Sequence, residues 1–506
     1  IKAHIDFLAS DELEGRETGT RGYDIAAEYL ATQLAGAGVE PAGDDGKWFQ
    51  AVPLRTYRLD ASRSSFCIRA NDTCTSFEIR KDVTLSAGVH AASDVDAEVV
   101  FAGFGITAPE LGRDDYAGLD VRGKIVAILS GAPPSFPHSQ RAYYSNGTVK
   151  SANAVGRGAI GIVNIRSLET ERRTPWPRAL AQADTLSMRA LDRAGQPMET
   201  FPQIRGSATL GRDAAAMLFS GEAMTFEAIQ ADAEKGIARS FPLHKRVTMH
   251  TTATIGEASS VNVAGIIRGS DPALAGEQVI LSAHLDHLGI AAEGTDRIRN
   301  GALDNASGIA ALIEIARDIV ASNRRPRRSI IILAVTGEEK GLQGSLAYAT
   351  RPGVREQVVA NVNMDMLTML FPLASLAALG EEHSSLGSLA RRAAEQNGFV
   401  LEPDPLPEEV RFTRSDQYSF VKQGIPAISY KGGLQSKDPA IDGAKITRDW
   451  LHDVYHTPAD ERTQHIDYDS GVRWAKTNEA LVVMIANLKR KPRWNQGDFF
   501  GERFGR

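Results

Sequence analysis

The run Ser329–Thr336 (SIIILAVT) is apolar at every position between its two ends. A strand with one face in water alternates polar and apolar residues. A strand apolar at successive positions needs cover on both faces, which is the condition inside a parallel sheet. The surrounding sequence keeps that rhythm. Glu277–Ala283 reads as a strand, and Ile309, Leu312, Ile313, Ala316, Ile319 and Val320 follow the i, i+3, i+4 spacing of a helix with one apolar stripe. Val358–Met364 reads as the next strand, then come a helix at about Ser384–Asn397, a strand at Ile425–Ser429 and a closing helix at about Ser470–Leu488. This alternation predicts an α/β fold: a mixed, mostly parallel sheet flanked by helices.

Residues 1–60 hold the loop Glu14–Gly22 and a helix expected from about Tyr23 to Ala37, with Gly38 as its stop. Residues 61–250 read differently. Short β-rich runs (Phe77–Ile79, Ala97–Gly103, Lys124–Leu129, Ala159–Ile165, Arg246–Thr252) are punctuated by Gly, Pro and Asp, with helical patches only around Ala152–Arg157 and Met224–Ala233. The expected organisation is a catalytic domain built from 1–60 and 251–506, interrupted by a β-rich insert at 61–250. The basic run Arg324–Arg328 reads as a solvated connection between a helix and a strand.

Composition excludes several classes of function. Hydrophobic residues are 42% and charged residues 24%, so disorder is not the main state. The 57 basic and 63 acidic side chains are interleaved, without the basic stripe of a nucleic-acid binder, and no nucleic-acid partner is expected. The longest apolar stretch, Met369–Leu379, is too short for a bilayer and contains Pro372, so no membrane span is expected. Cys67 and Cys74 flank the turn-like Asn71-Asp72, a spacing that predicts a disulfide across a hairpin and an oxidising compartment. Ile1 stands first without a methionine, and a processed, secreted or periplasmic form is expected.

In an open α/β sheet the site lies outside the carboxyl ends of the strands. His284 and Asp286 follow one strand, Glu338 and Glu339 follow the buried run, and Asp365 ends the next strand. Asp304 stands just before the helix, and His456 lies in Tyr455-His-Thr-Pro-Ala-Asp460. So many carboxylates on one sheet edge would repel one another, and burying them unpaired is unfavourable. A cation resolves this, and imidazole plus carboxylate without thiolate suits zinc and some other divalent metals. Two imidazoles, two terminal carboxylates and one shared carboxylate fit two ions bridged by Asp304, a pairing suited to hydrolysis. Of the adjacent Glu338 and Glu339, one can hold metal while its neighbour takes a proton from metal-activated water. Asp286 can accept the second ring N–H of His284 or cap its own loop.

These blocks resemble the zinc aminopeptidases of the M28 family. The motifs that carry the resemblance are His284-Leu-Asp286, Gly301-Ala-Leu-Asp-Asn-Ala-Ser-Gly308, Thr336-Gly-Glu-Glu339, Asn363-Met-Asp365 and Tyr455-His-Thr-Pro-Ala-Asp460. Arg414-Ser-Asp-Gln-Tyr-Ser-Phe420 and the N-terminal Asp11–Gly19 add to it. Phe101–Gly105, Asp115-Tyr116, Arg122–Val126 and Gly158–Gly161 are similar to the protease-associated (PA) domain often inserted in that family. The resemblance implies two Zn2+, one on His284 and Asp365 and the other on Glu339 and His456, with Asp304 bridging. It implies Glu338 as general base, Asp286 as the support of His284, and Tyr455, Asp416 and Gln417 at the substrate pocket. Gln417 departs from the His found in many relatives. His287 and His452 read as pocket-rim or structural residues. The implied reaction is hydrolysis of the N-terminal residue from a peptide with a free amine. The alternatives are a carboxypeptidase of the same superfamily, whose relatives add a C-terminal helical domain where only sixteen residues follow Arg490 here, a one-zinc glutaminyl cyclase, or a non-catalytic binding protein, which would have lost ligands.

Overall fold

The computed structural model describes residues 1–183, 185–237, 239–322 and 325–505. Internal contacts divide the chain into two units, one of Ile1–Leu54, Ala190–Ala194 and Ala258–Arg506, the other of Arg55–Arg189 and Gly195–Glu257. The expected insert, 61–250, overlaps the second unit, but the short return Ala190–Ala194 packs with the first and had no signal in the sequence.

The sheet of the first unit runs Glu40–Pro41, the end of Ser240–Ile267, Ser329–Val335, Gln278–His284, Val358–Asn363, Ala427–Gly432, Ser375–Leu379 and Val400–Glu402. The four central strands from Ser329–Val335 to Ala427–Gly432 are mutually parallel. Antiparallel pairings enter on either side, at Val263–Ile267 and at Ser375–Leu379. The apolar run is explained by its two faces: Ile330, Ile332 and Ala334 join one buried cluster, whereas Ile331, Leu333 and Val335 join another. Helices Arg21–Gly36, Ser307–Ala321 and Tyr468–Ala486 contribute to the first cluster, and Gln343–Ala349 and Gln417–Val421 to the second. The Thr20 side chain caps Arg21–Gly36 by accepting from the Tyr23 N–H, and Gly38 (φ +83°) takes the left-handed conformation that ends the helix.

The strands Ser375–Leu379 and Val400–Glu402 and the helix Gly443–Asp453 carried no sequence expectation. Ser375–Leu379 lies in an apolar stretch whose length alone does not separate helix from strand. In the basic run, Arg324 lies outside the described residues. Arg328 is 1% exposed and its guanidinium meets Glu277 and the Leu488 carbonyl, so that end of the run is buried and not solvated.

The second unit has its own sheet, in the order Thr73–Phe77, Ser65–Ala70, the first part of Ser240–Ile267, Ala92–Ala102, Ile125–Leu129, Gly161–Ile165, Gly206–Leu210 and Val83–Leu85. It is more helical than expected, with His138–Ser145, Gly147–Val155, Leu168–Arg173, Trp176–Ala183, Arg212–Phe219 and Phe226–Glu234. These helices are short, so an apolar stripe has few turns in which to declare itself. Several are started by caps instead, such as Asn146 accepting from Thr148 and Val149, and Thr225 accepting from Ala228. Cys67 and Cys74 form a disulfide within the hairpin Ser65–Ala70/Thr73–Phe77, with Asn71 in the left-handed conformation at its turn.

Candidate metal centre

His284 is the last residue of its strand, Glu338 and Glu339 lie in the turn after Ser329–Val335, and Asp365 follows Val358–Asn363 by two residues. Parallel pairing in near register brings these three strand ends together. Asp304 sits in an irregular turn immediately before helix Ser307–Ala321, at a cis Asp304–Asn305 peptide bond. His456 follows helix Gly443–Asp453 with φ +63°.

The five groups converge. His284 Nε2 is 3.2 Å from Asp304 Oδ1 and 3.5 Å from Asp365 Oδ1. His456 Nε2 is 3.1 Å from Asp304 Oδ2 and 3.3 Å from Glu339 Oε2. Asp304 thus offers one oxygen to each imidazole. A tetrahedral zinc with bonds of 2.0–2.1 Å places its ligand atoms about 3.3 Å apart, so both trios have the dimensions of a zinc site. Glu339 Oε1 and His456 Nε2 are buried without a hydrogen-bond partner, a condition that a shared cation would relieve. The donor set fits two divalent ions.

Without metal the cluster balances its charge internally. Burial favours neutral groups, but for His284 it is outweighed by Asp304 and Asp365, which hold the imidazole well above its ordinary range. His456 is pushed up to about 9, because Glu339 and Asp304 overcome its burial. Asp304 lies well below the usual carboxylate range, its burial outweighed by His284 and His456, and Glu339 is held at about 2 against burial, chiefly by His456. The imidazolium ions stand where cations are needed. Glu338 goes the other way: burial, reinforced by Glu339, Asp365 and Asp416, raises it well above its ordinary value.

Other residues fix this geometry. The carboxylate of Asp286 accepts from the backbone N–H groups of Glu338 (3.1 Å) and Glu339 (3.3 Å) and from the Thr18 hydroxyl (3.1 Å). His284 Nδ1 instead meets the Asp286 main-chain carbonyl at 3.1 Å, while the carboxylate is 3.9 Å away. The support expected for His284 therefore comes from the backbone of Asp286, and its side chain secures the Glu338-Glu339 turn. Asp460, quoted in a motif but given no role, accepts from the N–H groups of Leu303 and Asp304, both at 3.0 Å. Arg16 is fully buried and donates to the carbonyls of Leu285, Asn300 and Gly301, tying the His284 and Asp304 loops to the N-terminal segment. Lys431 Nζ lies 3.0 Å from Asp365 Oδ2. These residues come from strands and loops far apart in sequence, and no local pattern marks them.

A cavity of about 80 Å³ opens on His284, Asp304, Glu338 and Asp365, with Tyr455 in its wall. Tyr455 stacks on His456 at 3.7 Å between ring centres. Asp416 and Gln417, expected at the substrate pocket, are fully buried and absent from the cavity wall. Gln417 accepts from Asn363 Nδ2 (2.8 Å) and donates to the Phe412 carbonyl (2.8 Å), so its amide is used up holding the loop before it. Asp416 is pushed up to about 7 by burial. His452 is exposed beside Asp453, whereas His287 is fully buried with Nδ1 2.9 Å from Glu339 Oε1.

A mostly parallel sheet bearing imidazoles and carboxylates at adjacent strand ends defines a metal-site α/β domain of the zinc-peptidase type. Residues 262–482 match the model of peptidase family M28, and the chain carries an M28 domain. A probable zinc metalloprotease of Leptosphaeria maculans is 39% identical over 264 residues, 46% of this chain and 58% of that protein. One of Pyrenophora tritici-repentis is 27% identical over 226 residues, 38% of this chain and 45% of that protein. The chain thus spans about half the length of these relatives. An aminopeptidase from Aneurinibacillus sp. strain AM-1 has the same fold, with a TM-score of 0.54 and 19% identity across 95% of this chain and 92% of that one.

Proposed function

We propose that the protein is a dizinc aminopeptidase that removes N-terminal residues from peptides. His284, Asp304 and Asp365 would hold one ion, and Asp304, Glu339 and His456 the other. When bound, the metals would activate a water and polarise the carbonyl of the scissile bond. Glu338 lines the cavity beside the first trio and is the general base: it takes the proton of the attacking water and passes it to the leaving nitrogen. Asp286 serves by holding the backbone of that base through the Glu338 N–H. Tyr455 fits a role in orienting the substrate carbonyl.

The observation that carries the choice of an amine over a carboxylate is how the cavity's arginines are paired. Arg411 meets Asp404, and Arg414 meets Glu409 Oε2 at 3.0 Å, so both guanidinium groups already have carboxylate partners. Glu409 also lines the cavity, so that part of the wall is a neutral ion pair without the free arginine fork that a substrate carboxylate needs. A carboxypeptidase holds its substrate's carboxylate with arginine forks. A panel of peptides tests this. Free-amine peptides should be cleaved, and their N-acetyl forms should lose the charge-assisted contact, roughly 1.5–3 kcal/mol or 10- to 150-fold in kcat/KM. Comparable rates for the two forms, or release of C-terminal residues from N-blocked peptides, would overturn the reading.

We read the second unit as a PA-type insert. The Cys67–Cys74 disulfide supports a site of action in an oxidising compartment, secreted or periplasmic. No helix among the described residues is long and apolar enough to cross a membrane.

A further inference from the structure

The stretch 406–415 supplies Leu406, Glu409, Arg411, Arg414 and Ser415 to the wall of the cavity at the metal centre. It is built from two short turns, Pro407–Glu409 and Arg411–Thr413, joined at Val410 with φ +45°. A β-branched residue is strained in that left-handed conformation, and such strain persists only where the surrounding structure holds it. Part of the hold comes from Phe412. Its ring is absent from the cavity wall, is 3% exposed, and packs against His383 and Phe500 with ring centres 4.9 and 5.3 Å away. Gly380 makes room for it, since a Cβ there would lie 2.6 Å from Phe412 Cε2. Phe500 is fully buried and belongs to helix Phe499–Phe504, whose six residues are too few to form a helix alone. Asp498 secures that helix twice: one carboxylate oxygen accepts from the Gly501 N–H (2.8 Å), and the other lies 2.6 Å from His383 Nδ1. The chain just before it is laid against 383–385. The Ser385 N–H donates to the Arg493 carbonyl and the Asn495 N–H to the His383 carbonyl, both at 2.9 Å, while Trp494 Nε1 donates to the Gly424 carbonyl (3.0 Å).

We propose that the segment 493–504 is a clamp on the substrate cavity, with Phe500 as its positioning residue. Through the Phe412 ring it fixes where Glu409, Arg411 and Arg414 stand in the cavity wall. Its role in substrate binding rests on the reading of that cavity as the peptide site. Polar contacts hold the stretch at other points: Gln417 donates to the Phe412 carbonyl (2.8 Å), and Asn363 Nδ2 donates to the Ser415 hydroxyl (2.9 Å). These fix the backbone at Phe412 and the side chain of Ser415, whereas the Phe412 ring is fixed by aromatic packing. The candidate metal ligands and Glu338 stand on other strand ends and loops. Loss of Phe500 therefore frees the wall and leaves the metal centre in place, so the clamp acts on substrate binding and not on proton transfer.

The test is Phe500→Ala in the whole chain, with Phe500→Leu as the conservative variant, both checked for folding by circular dichroism and for metal by elemental analysis. Hydrogen exchange should be about 10-fold faster or more over 406–415 in Phe500→Ala, while Gln278–His284 and Ser329–Val335 keep wild-type rates. KM for a free-amine peptide should rise about 10-fold with kcat within about 3-fold, the pattern of lost binding without loss of the chemical step. Phe500→Leu keeps most of the apolar volume and should restore most of both. Phe412→Ala should raise KM in the same way, and adding Phe500→Ala to it should do little more, because residues that act through one contact are not additive. If Phe500→Ala does not fold, Asp498→Asn, which loosens the helix without emptying the core, is measured in its place. Unchanged exchange over 406–415, or a fall in kcat with KM unchanged, would overturn the clamp. Faster exchange in the variant of a metal-replete protein that cleaves no free-amine peptide would instead uphold the clamp and overturn the aminopeptidase reading.

Discussion

Replacing Lys431 with Met should tighten metal binding, although it removes a residue that steadies a ligand. Lys431 is 5% exposed, and its Nζ sits 3.0 Å from Asp365 Oδ2 and also donates to the Asp365 carbonyl. Burial alone would raise Asp365, but Lys431 and then His284 hold it below the usual carboxylate range. In the metal-free variant this carboxylate would keep only the imidazole contact at 3.5 Å. Breaking one partner out of a buried pair is destabilising by about 3–5 kcal/mol. In the loaded protein a dication replaces the lost charge, so most of that penalty disappears, and the difference appears as tighter binding. Against it stands the loss of orientation at a ligand, typically 10- to 100-fold in affinity or about 1.4–2.7 kcal/mol. The first effect is larger, and the balance is roughly 2 kcal/mol, about a 30-fold gain. Competition with a chromophoric chelator measures affinity, and urea unfolding with and without metal measures the other sides of the cycle. Lys431→Arg, which keeps the charge, should stay close to wild type. Weaker binding in Lys431→Met, with metal-free stability unchanged, would refute the reasoning.

Further outcomes are expected. Glu338→Gln should keep both metals and lose about 100- to 10,000-fold in turnover, since it removes proton transfer and not a ligand; elemental analysis beside a kinetic assay checks this. Lys150 is fully buried, and burial lowers its amine from 10.5 to about 7. Because the folded value is depressed, its contribution to stability is present above pH 10.5 and is lost as pH falls towards 7. Lys150→Met should therefore gain on wild type by roughly 2 kcal/mol between pH 9 and pH 7 in denaturant titrations, and a constant gap would refute the burial argument. Unreduced, denatured protein should show no free thiol, and reduction should destabilise the hairpin region by less than the ~3 kcal/mol of a fifteen-residue loop, because the Cys67–Cys74 loop is shorter.

Much of the first unit was legible in the chain because its signals are local. Side chains alternate across a strand whatever its neighbours are, so seven buried residues in succession at Ser329–Val335 could only mean cover on both faces. A helix repeats every 3.6 residues, and the stripe from Ile309 to Val320 accordingly falls on Ser307–Ala321. The placement of the candidate site residues was legible for a similar reason: His284, Glu338, Glu339 and Asp365 stand at or just past strand ends, where a parallel sheet gathers its functional groups.

What the sequence left open is whatever depends on which strand lies beside which, and on how a turn aims a side chain. Asp286 could serve His284 or its own loop, and only the folded turn shows its carboxylate on the Glu338 and Glu339 amides. Gln417 stands in a motif that suggested a pocket, but packing between Asn363 and Phe412 consumes its amide. Lys431 reaches Asp365 and Arg16 reaches Gly301 across long stretches of chain, contacts that no spacing rule encodes. His287 follows Asp286 directly, and neither its charge nor its neighbours distinguish it from a rim residue. Its place beside Glu339 comes from the left-handed Gly301 and from the Arg16 carbonyl that accepts its N–H, and these are decided only when the N-terminal segment closes over the strand ends. Periodicity is a property of one segment and survives in the sequence, whereas convergence depends on several segments at once and exists only in the tertiary structure.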